Sequence, residues 1–273
     1  MSRSESEHKP VERAKIPAQV RLAAILERLR AGGSVTVTEI ARDFHVSDMT
    51  VRRDLSELER EGLLERVHGG AVLLSEGPLS VIDDVEPRFG ARAVHMSAAK
   101  TAIAREAARL VAGYRTVAMD VGTTTHAVAQ MMEVTSRSRI FTNSLRVAEA
   151  LSPTQAEVYV PGGRVRPDEM SITGPQAVEY FEKLHFDVAL LGISGLTGEG
   201  LFDYSMEDSE LKRVYVARSA TRVVLCDSSK FRRMSLTKVC DLSDVQLLIT
   251  DAAPPADLAQ ALERAGVEIR IAP

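Results

Sequence analysis

Six short apolar runs, at residues 116–119, 140–141, 158–160, 188–191, 222–226 and 246–250, constrain this chain more than any other feature. Most are followed by a loop of small or hydroxyl residues and then by a helical stretch. Strands that are apolar almost throughout are buried on both faces, and intervening helices supply the cover. The spacing therefore predicts an α/β domain with a mainly parallel sheet over residues 97–273. It opens with a helix from Ser97 to about Ala112, stopped by Gly113. Such sheets take ligands beyond the carboxyl ends of their strands.

Five loops stand at those ends: Asp120-Val121-Gly122-Thr123-Thr124-Thr125, Thr142-Asn143-Ser144, Gly162-Gly163-Arg164, Gly192-Ile193-Ser194-Gly195 and Asp227-Ser228-Ser229-Lys230. Singly, each is equally a helix cap or a tight turn; together they make a polar rim. Gly122 and the three threonines, opening a helix at 127–132, suit a phosphate. Free backbone N–H groups and hydroxyls donate, and glycine lets the anion approach. Lys230 and Lys212 can neutralise it, while Asp120 is better placed to accept sugar hydroxyls or to orient the loop. No GK[ST] follows the glycine, and Gly192-x-x-Gly195-x-x-Gly198 is not a dinucleotide fingerprint. His45, His68, His95, His126 and His185 lack metal-ligand spacing, so no metal or cofactor is expected.

Residues 17–74 differ in pattern. A helix starts at Pro17, with Val20, Ala23, Ala24, Ile25, Leu26 and Leu29 on its apolar face, and ends at Ala31-Gly32-Gly33-Ser34. Val35-Thr36-Val37 reads as a strand-like bridge, and Thr38 as the cap of a second helix over 39–44. A third helix begins at Ser47, which can accept a hydrogen bond from the first turn, and ends at Gly62. Val51, Leu55 and Leu58 form its inward stripe, leaving Met49, Thr50, Arg52, Arg53 and Ser56 outward. Apolar runs at 63–67 and 71–74 flank His68-Gly69-Gly70 as a β-hairpin. Three helices and a hairpin make a winged helix-turn-helix, whose third helix enters a DNA groove and whose tip, His68 and Gly69, approaches the backbone.

Charge qualifies that expectation. The formal net charge is −4, and residues 1–75 hold twelve basic and twelve acidic side chains, so DNA binding must rest on where the arginines lie. Residues 1–16 read as a disordered tail and 75–96 as a linker. A polar N-terminus, two cysteines and no membrane-length apolar run point to the cytoplasm.

Arg21, Ile25 and Leu29, followed after seventeen residues by Ser47-x-x-Thr50-Val51-Arg52-Arg53-Asp54-Leu55, resemble the signature of DeoR-type bacterial transcriptional regulators. The resemblance extends to Asp120-x-Gly-Thr-Thr, Thr142-Asn143, Gly162-Gly163, Leu191-Gly192-x-x-Gly195, Glu207 with Lys212, and Asp227-Ser-Ser-Lys230, covering roughly residues 18 to 251. Leu191–Gly195 and Leu201–Tyr204 look most like the branch of that family containing the glycerol-3-phosphate regulon repressor. The resemblance implies a sensor fold related to ribose-5-phosphate isomerase and glucosamine-phosphate deaminase, binding phosphorylated sugars or sugar alcohols. By matching position it implies phosphate contacts from Gly122, Thr123, Thr124 and Lys230, and polyol contacts from Asp120, Asn143, Glu207 and Lys212. Thr125, Gly162, Gly163 and Gly192 complete the expected effector site. The expected protein is a repressor and not an enzyme, a homo-oligomer (dimer or tetramer) on double-stranded operator DNA. The competing class is a sugar-phosphate isomerase or deaminase with a DNA-binding appendage.

Overall fold

The computed structural model describes residues 18–32, 34–60, 63–67, 69–72, 82–83 and 86–273. The expected tail at 1–16, His68 and much of 75–85 lie outside them. The chain divides into two compact units, Met1–Ser75 and Glu76–Pro273.

In the first unit, α1 (Ala18–Gly32) buries Ile25, Leu26 and Leu29. After β1 (Ser34–Thr36), α2 (Val37–Phe44) starts two residues earlier than expected, because Thr36 and not Thr38 caps it. Thr36 Oγ1 accepts from Glu39 N at 3.2 Å, and the Glu39 carboxylate accepts from Thr36 N at 3.3 Å. This reciprocal pair satisfies two otherwise orphaned donors. His45 adopts a left-handed conformation (φ 52°), and Val46 N bonds back to Ala41 O, which turns the chain into α3 (Asp48–Arg60). Strands β2 (Glu65–Val67) and β3 (Gly70–Val72) form the expected antiparallel hairpin. Strand β1 pairs with β3, which closes a three-stranded sheet against the helices.

The second unit begins with β4 (Ile82–Asp83), α4 (Phe89–Val94) and α5 (Ser97–Val111). Next come β5 (Thr116–Met119), α6 (Thr123–Met131), β6 (Arg139–Thr142), α7 (Leu145–Leu151) and β7 (Glu157–Tyr159). A hairpin, β8 (Arg164–Arg166) and β9 (Ser171–Thr173), leads to α8 (Pro175–Glu182) and β10 (Phe186–Gly192). A second hairpin, β11 (Gly195–Thr197) and β12 (Gly200–Asp203), leads to α9 (Met206–Arg218) and β13 (Ser219–Leu225). The chain finishes with β14 (Met234–Ser235), β15 (Thr237–Cys240), β16 (Leu247–Thr250), α10 (Ala256–Arg264) and β17 (Glu268–Ile271).

All six expected runs become strands of one seven-stranded sheet in the order β17-β16-β13-β10-β5-β6-β7, with every neighbouring pair parallel. The seventh, β17, escapes an apolar-run search because as an edge strand it reads Glu-Ile-Arg-Ile and stays partly exposed. Two hydrophobic layers follow from the two-residue period of a strand. Val188 and Leu190 face Ile103, Ala107 and Val128, whereas Ala189 and Leu191 share the other layer with Phe181, Leu211 and Tyr215. Among the described residues, no helix is long and apolar enough to cross a membrane.

Strand order fixes where a ligand can sit. The chain builds β5, β6 and β7 outward in one direction, then returns to place β10 on the other side of β5 and builds β13, β16 and β17 the opposite way. The reversal leaves a crevice between the loops after β5 and β10.

Candidate functional site

Two surfaces collect the residues singled out from sequence. On α3, Val51, Leu55 and Leu58 are buried, and Asp54 is 3% exposed against Arg21, 6% exposed, whose Nη2 donates to Oδ1 at 2.9 Å. The opposite side holds Met49, Arg52 and Arg53, all exposed. Neither arginine side chain makes a hydrogen bond or ion pair among the described residues. Ser47 Oγ accepts from Thr50 N at 3.2 Å and lies 2.9 Å from Thr50 Oγ1, capping the helix. Ser56 is half-buried; its hydroxyl donates to Arg52 O and accepts from Arg66 Nη1 at 2.8 Å. Gly69 is exposed at the hairpin tip, with φ 82°.

The second surface is a cavity of about 570 Å³, counting its mouth, at the point where the sheet order reverses. Its floor is the β5 loop (Val121, Gly122, Thr123, Thr124) and the β10 loop (Gly192, Ile193, Ser194). Helix α6 starts at Thr123, not at Ala127, since His126 N already bonds to Gly122 O at 3.0 Å. Its free first-turn N–H groups therefore open onto the cavity wall. A Cβ on Gly192 would stand 2.8 Å from Val121 O, so the close approach of the two loops requires glycine. Lys230, on the loop after β13, lines the same end. Burial lowers its pKa, and Asp227 acts against that from a distance. Among the described residues its ammonium has no hydrogen bond or ion pair.

The other end is rich in carboxylates. Lys212 Nζ is buried between Asp120 and Asp203, 3.0 Å from the latter, and donates to Gly192 O at 2.9 Å. Burial works against its charge, but Asp120 and Asp203 outweigh it and hold Lys212 protonated. Three carboxylates (Asp120, Asp203, Asp208) crowd this one ammonium, and burial pushes Asp120 up to about 7. The cavity is thus bipolar, with anion donors at one end and acceptors at the other.

Residues 21–77 match the model of the DeoR-like helix-turn-helix domain, and residues 95–252 match that of the DeoR C-terminal sensor domain. The chain belongs to the DeoR family of transcriptional regulators. Among relatives in this family, it is 31% identical to the glycerol-3-phosphate regulon repressor of Escherichia coli, over 90% of this chain and 96% of that one. It is 32% identical to the regulator GolR of Listeria innocua (91% and 96% covered) and 30% identical to the repressor GlcR of Bacillus subtilis (92% and 95%). A solved ribose 5-phosphate isomerase A from Methanocaldococcus jannaschii superposes with TM-score 0.36 at 17% identity, over 50% of this chain and 55% of that one.

Of the effector residues expected in this DeoR-family sensor, the structure brings Gly122, Thr123, Thr124, Gly192, Lys212 and Lys230 to the cavity wall. The other six lie off it. Asp120 sits behind the wall, accepting from Gly192 N at 3.1 Å, and the Thr125 hydroxyl donates to Gly122 O at 2.9 Å. Asn143 is fully buried, its Oδ1 accepting from Tyr215 OH at 3.1 Å. Gly162 and Gly163 belong to the approach to β8; a Cβ on Gly163 would stand 2.5 Å from Thr173 O, a packing reason for glycine. Glu207 turns away to pair with Arg164.

Asp208 takes the place expected of Glu207. It lies four residues before Lys212, on the same helix face, while Glu207 is rotated by about 100°. That periodicity was available in the sequence. Asp203 and Tyr204, from the family-like stretch Leu201–Tyr204, also line the cavity, as do Glu86, Arg92 and Lys100, which no local pattern marks.

Burial pushes the Glu169 carboxyl up to about 7, with Arg92 opposing. Asp120 and Glu169 thus keep their protons to a higher pH when folded, so this part of the stability falls as pH rises from about 4 to 7. His126, whose pKa burial lowers, acts in the opposite sense. Glu169→Gln should flatten the decline of the sensor's melting temperature between about pH 4 and 7. A slope unchanged from wild type would contradict the assignment.

Proposed function

We propose that this DeoR-family regulator is a repressor of sugar or polyol genes, released from its operator when a phosphorylated sugar or sugar alcohol enters the switch-point cavity. The observation that carries this is the α6 N-terminus beside the Lys230 ammonium, which has no partner among the described residues, at one end of a cavity whose other end offers Asp203 and Asp208. Free N–H groups and a lysine suit a phosphate, and carboxylates accept polyol hydroxyls. The names of the E. coli and B. subtilis relatives support repression, and the first relative's name supports a phosphorylated polyol as the signal. On the DNA side, Ser47, Met49, Thr50, Arg52, Arg53 and Ser56 form the recognition surface, with Gly69 at the wing tip.

The protein acts in the cytoplasm as a homo-oligomer that presents two recognition helices to half-sites about 34–36 Å apart, or a multiple of that. It regulates and does not turn its ligand over; a substantial rate with pentose or hexose phosphates would overturn that point. A thermal-shift panel of phosphorylated sugars and polyols tests the effector. A ligand at about 100 times its Kd should stabilise the sensor by about 2.7 kcal/mol and, at the same concentration, release operator DNA. Lys230→Ala should abolish both effects. A panel without a stabilising member would count against the proposal.

A further inference from the structure

Residues 86–100, near the start of the sensor unit, contribute to the cavity wall. Glu86, Arg92 and Lys100 line it, although none belongs to the loops at the sheet edge. The segment is anchored twice. Strand β4 pairs in parallel with β14, and Ser235 of β14 has its Oγ 2.7 Å from that of Ser194, in the β10 loop. Farther on, Phe89 packs edge-on against His126 of α6, with ring centroids 5.7 Å apart, and lies under the Arg146 guanidinium at 4.1 Å.

Between and beyond these anchors runs a chain of alternating charge: Asp208, Arg166, Glu86, Arg92, Glu169. Arg166 reaches Glu86 at 2.8 Å and also Asp208; Arg92 reaches Glu86 at 3.3 Å and also Glu169. Lys100 Nζ donates to His95 O at 2.6 Å and to Arg92 O, and lies 3.9 Å from Asp227, on the Lys230 loop. The network is under-paired. Asp208 Oδ1, Glu169 Oε1 and the Nε atoms of Arg92 and Arg166 are buried without a partner among the described residues. Asp208 is 1% exposed and Glu169 3%. Buried donors and acceptors left unspent favour any arrangement that pairs them, and hydroxyl or phosphate oxygens beside Asp208 and Arg92 provide one.

We propose that residues 86–100 form an effector-responsive strap: a phosphorylated polyol in the cavity re-pairs Arg92 and Glu86, so that ligand binding and the conformation of the segment leading to the DNA-binding unit are one equilibrium. This rests on the effector class proposed above and adds how that site communicates. The ligand changes operator affinity only by its differential affinity for the two strap arrangements, so coupling has to pass through contacts that differ between them.

Hydrogen–deuterium exchange on the full chain tests it, with glycerol 3-phosphate, ribose 5-phosphate, glucose 6-phosphate and inorganic phosphate as probes. A bound probe should change amide protection by roughly fivefold or more both at 123–126 and across Phe89–Val94. Protection at 123–126 alone overturns the strap and leaves the effector proposal standing. No change at either place with any probe overturns both. As a second measure, Arg92→Gln should bring the ratio of operator Kd with and without saturating probe at least about fivefold closer to one. A ratio equal to wild type overturns the proposal.

Discussion

Replacing Arg52 and Arg53 together by alanine is expected to remove specific operator binding while leaving both melting transitions in place. Both side chains are exposed on α3, opposite the buried Val51, Leu55 and Leu58, so their loss exposes no core. A bidentate arginine contact to a base edge is worth about 1–3 kcal/mol, and two together correspond to roughly 30-fold to 10⁴-fold in affinity. The singles divide the labour. A base-reading arginine relaxes specificity at one position when removed; a phosphate-contacting one lowers affinity across sequences and reduces the salt slope by about one. The first 75 residues are electrically balanced, so no net basic excess compensates for the loss. Fluorescence anisotropy against salt concentration reads both effects, and wild-type affinity in the double variant would exclude α3 as the recognition helix.

Asp54→Ala is expected to unfold much of the first unit. Arg21 and Asp54 are buried and share two hydrogen bonds, tying α1 to α3 across thirty-three residues of sequence. Removing Asp54 takes its carboxylate from a buried guanidinium, at a cost of about 3–5 kcal/mol. A unit of this size has a total stability of only about 3–9 kcal/mol, at roughly 0.05–0.15 kcal/mol per residue. DNA binding should disappear in Asp54→Ala through unfolding, not through a lost contact, while the sensor melts as in wild type. Joint replacement, Arg21→Met with Asp54→Leu, should recover most of the loss, since a well-packed apolar pair can match a buried ion pair. Denaturation followed by circular dichroism separates these cases; an Asp54→Ala unit within about 1 kcal/mol of wild type would show that the pair is not structural.

These two predictions also show what sequence alone can deliver. The third helix, its cap and its two faces were legible because they depend on 3.6-residue periodicity and on a serine within hydrogen-bond reach of its own helix. Arg21 and Asp54 stood in the family signature, yet only their burial explains why they are there. In the sensor, the family resemblance implied Glu207, whereas the structure brings Asp208, one residue farther along the helix, to the cavity wall. Gly162, Gly163 and Asn143, also expected at the ligand, lie off the cavity wall, where Gly163 packs against Thr173 and Asn143 bonds to Tyr215. The stretch from 75 to 96, expected to be a featureless linker, supplies Glu86 and Arg92 to the cavity through charges whose partners lie about eighty residues away.

By itself the sequence determined six of the seven strands of the main sheet, the helices and hairpin of the first unit and the chemistry of the loops at the sheet edge, because hydrophobic period, capping and turn preference act over a few residues. Only the tertiary structure decided which loops meet. The reversal of strand order between β5 and β10 sets Gly122 beside Gly192, and α9 swings Asp208 and Lys212 over them. Strand neighbours are chosen by the burial of two whole sheet faces at once, a non-local free energy that no single segment carries.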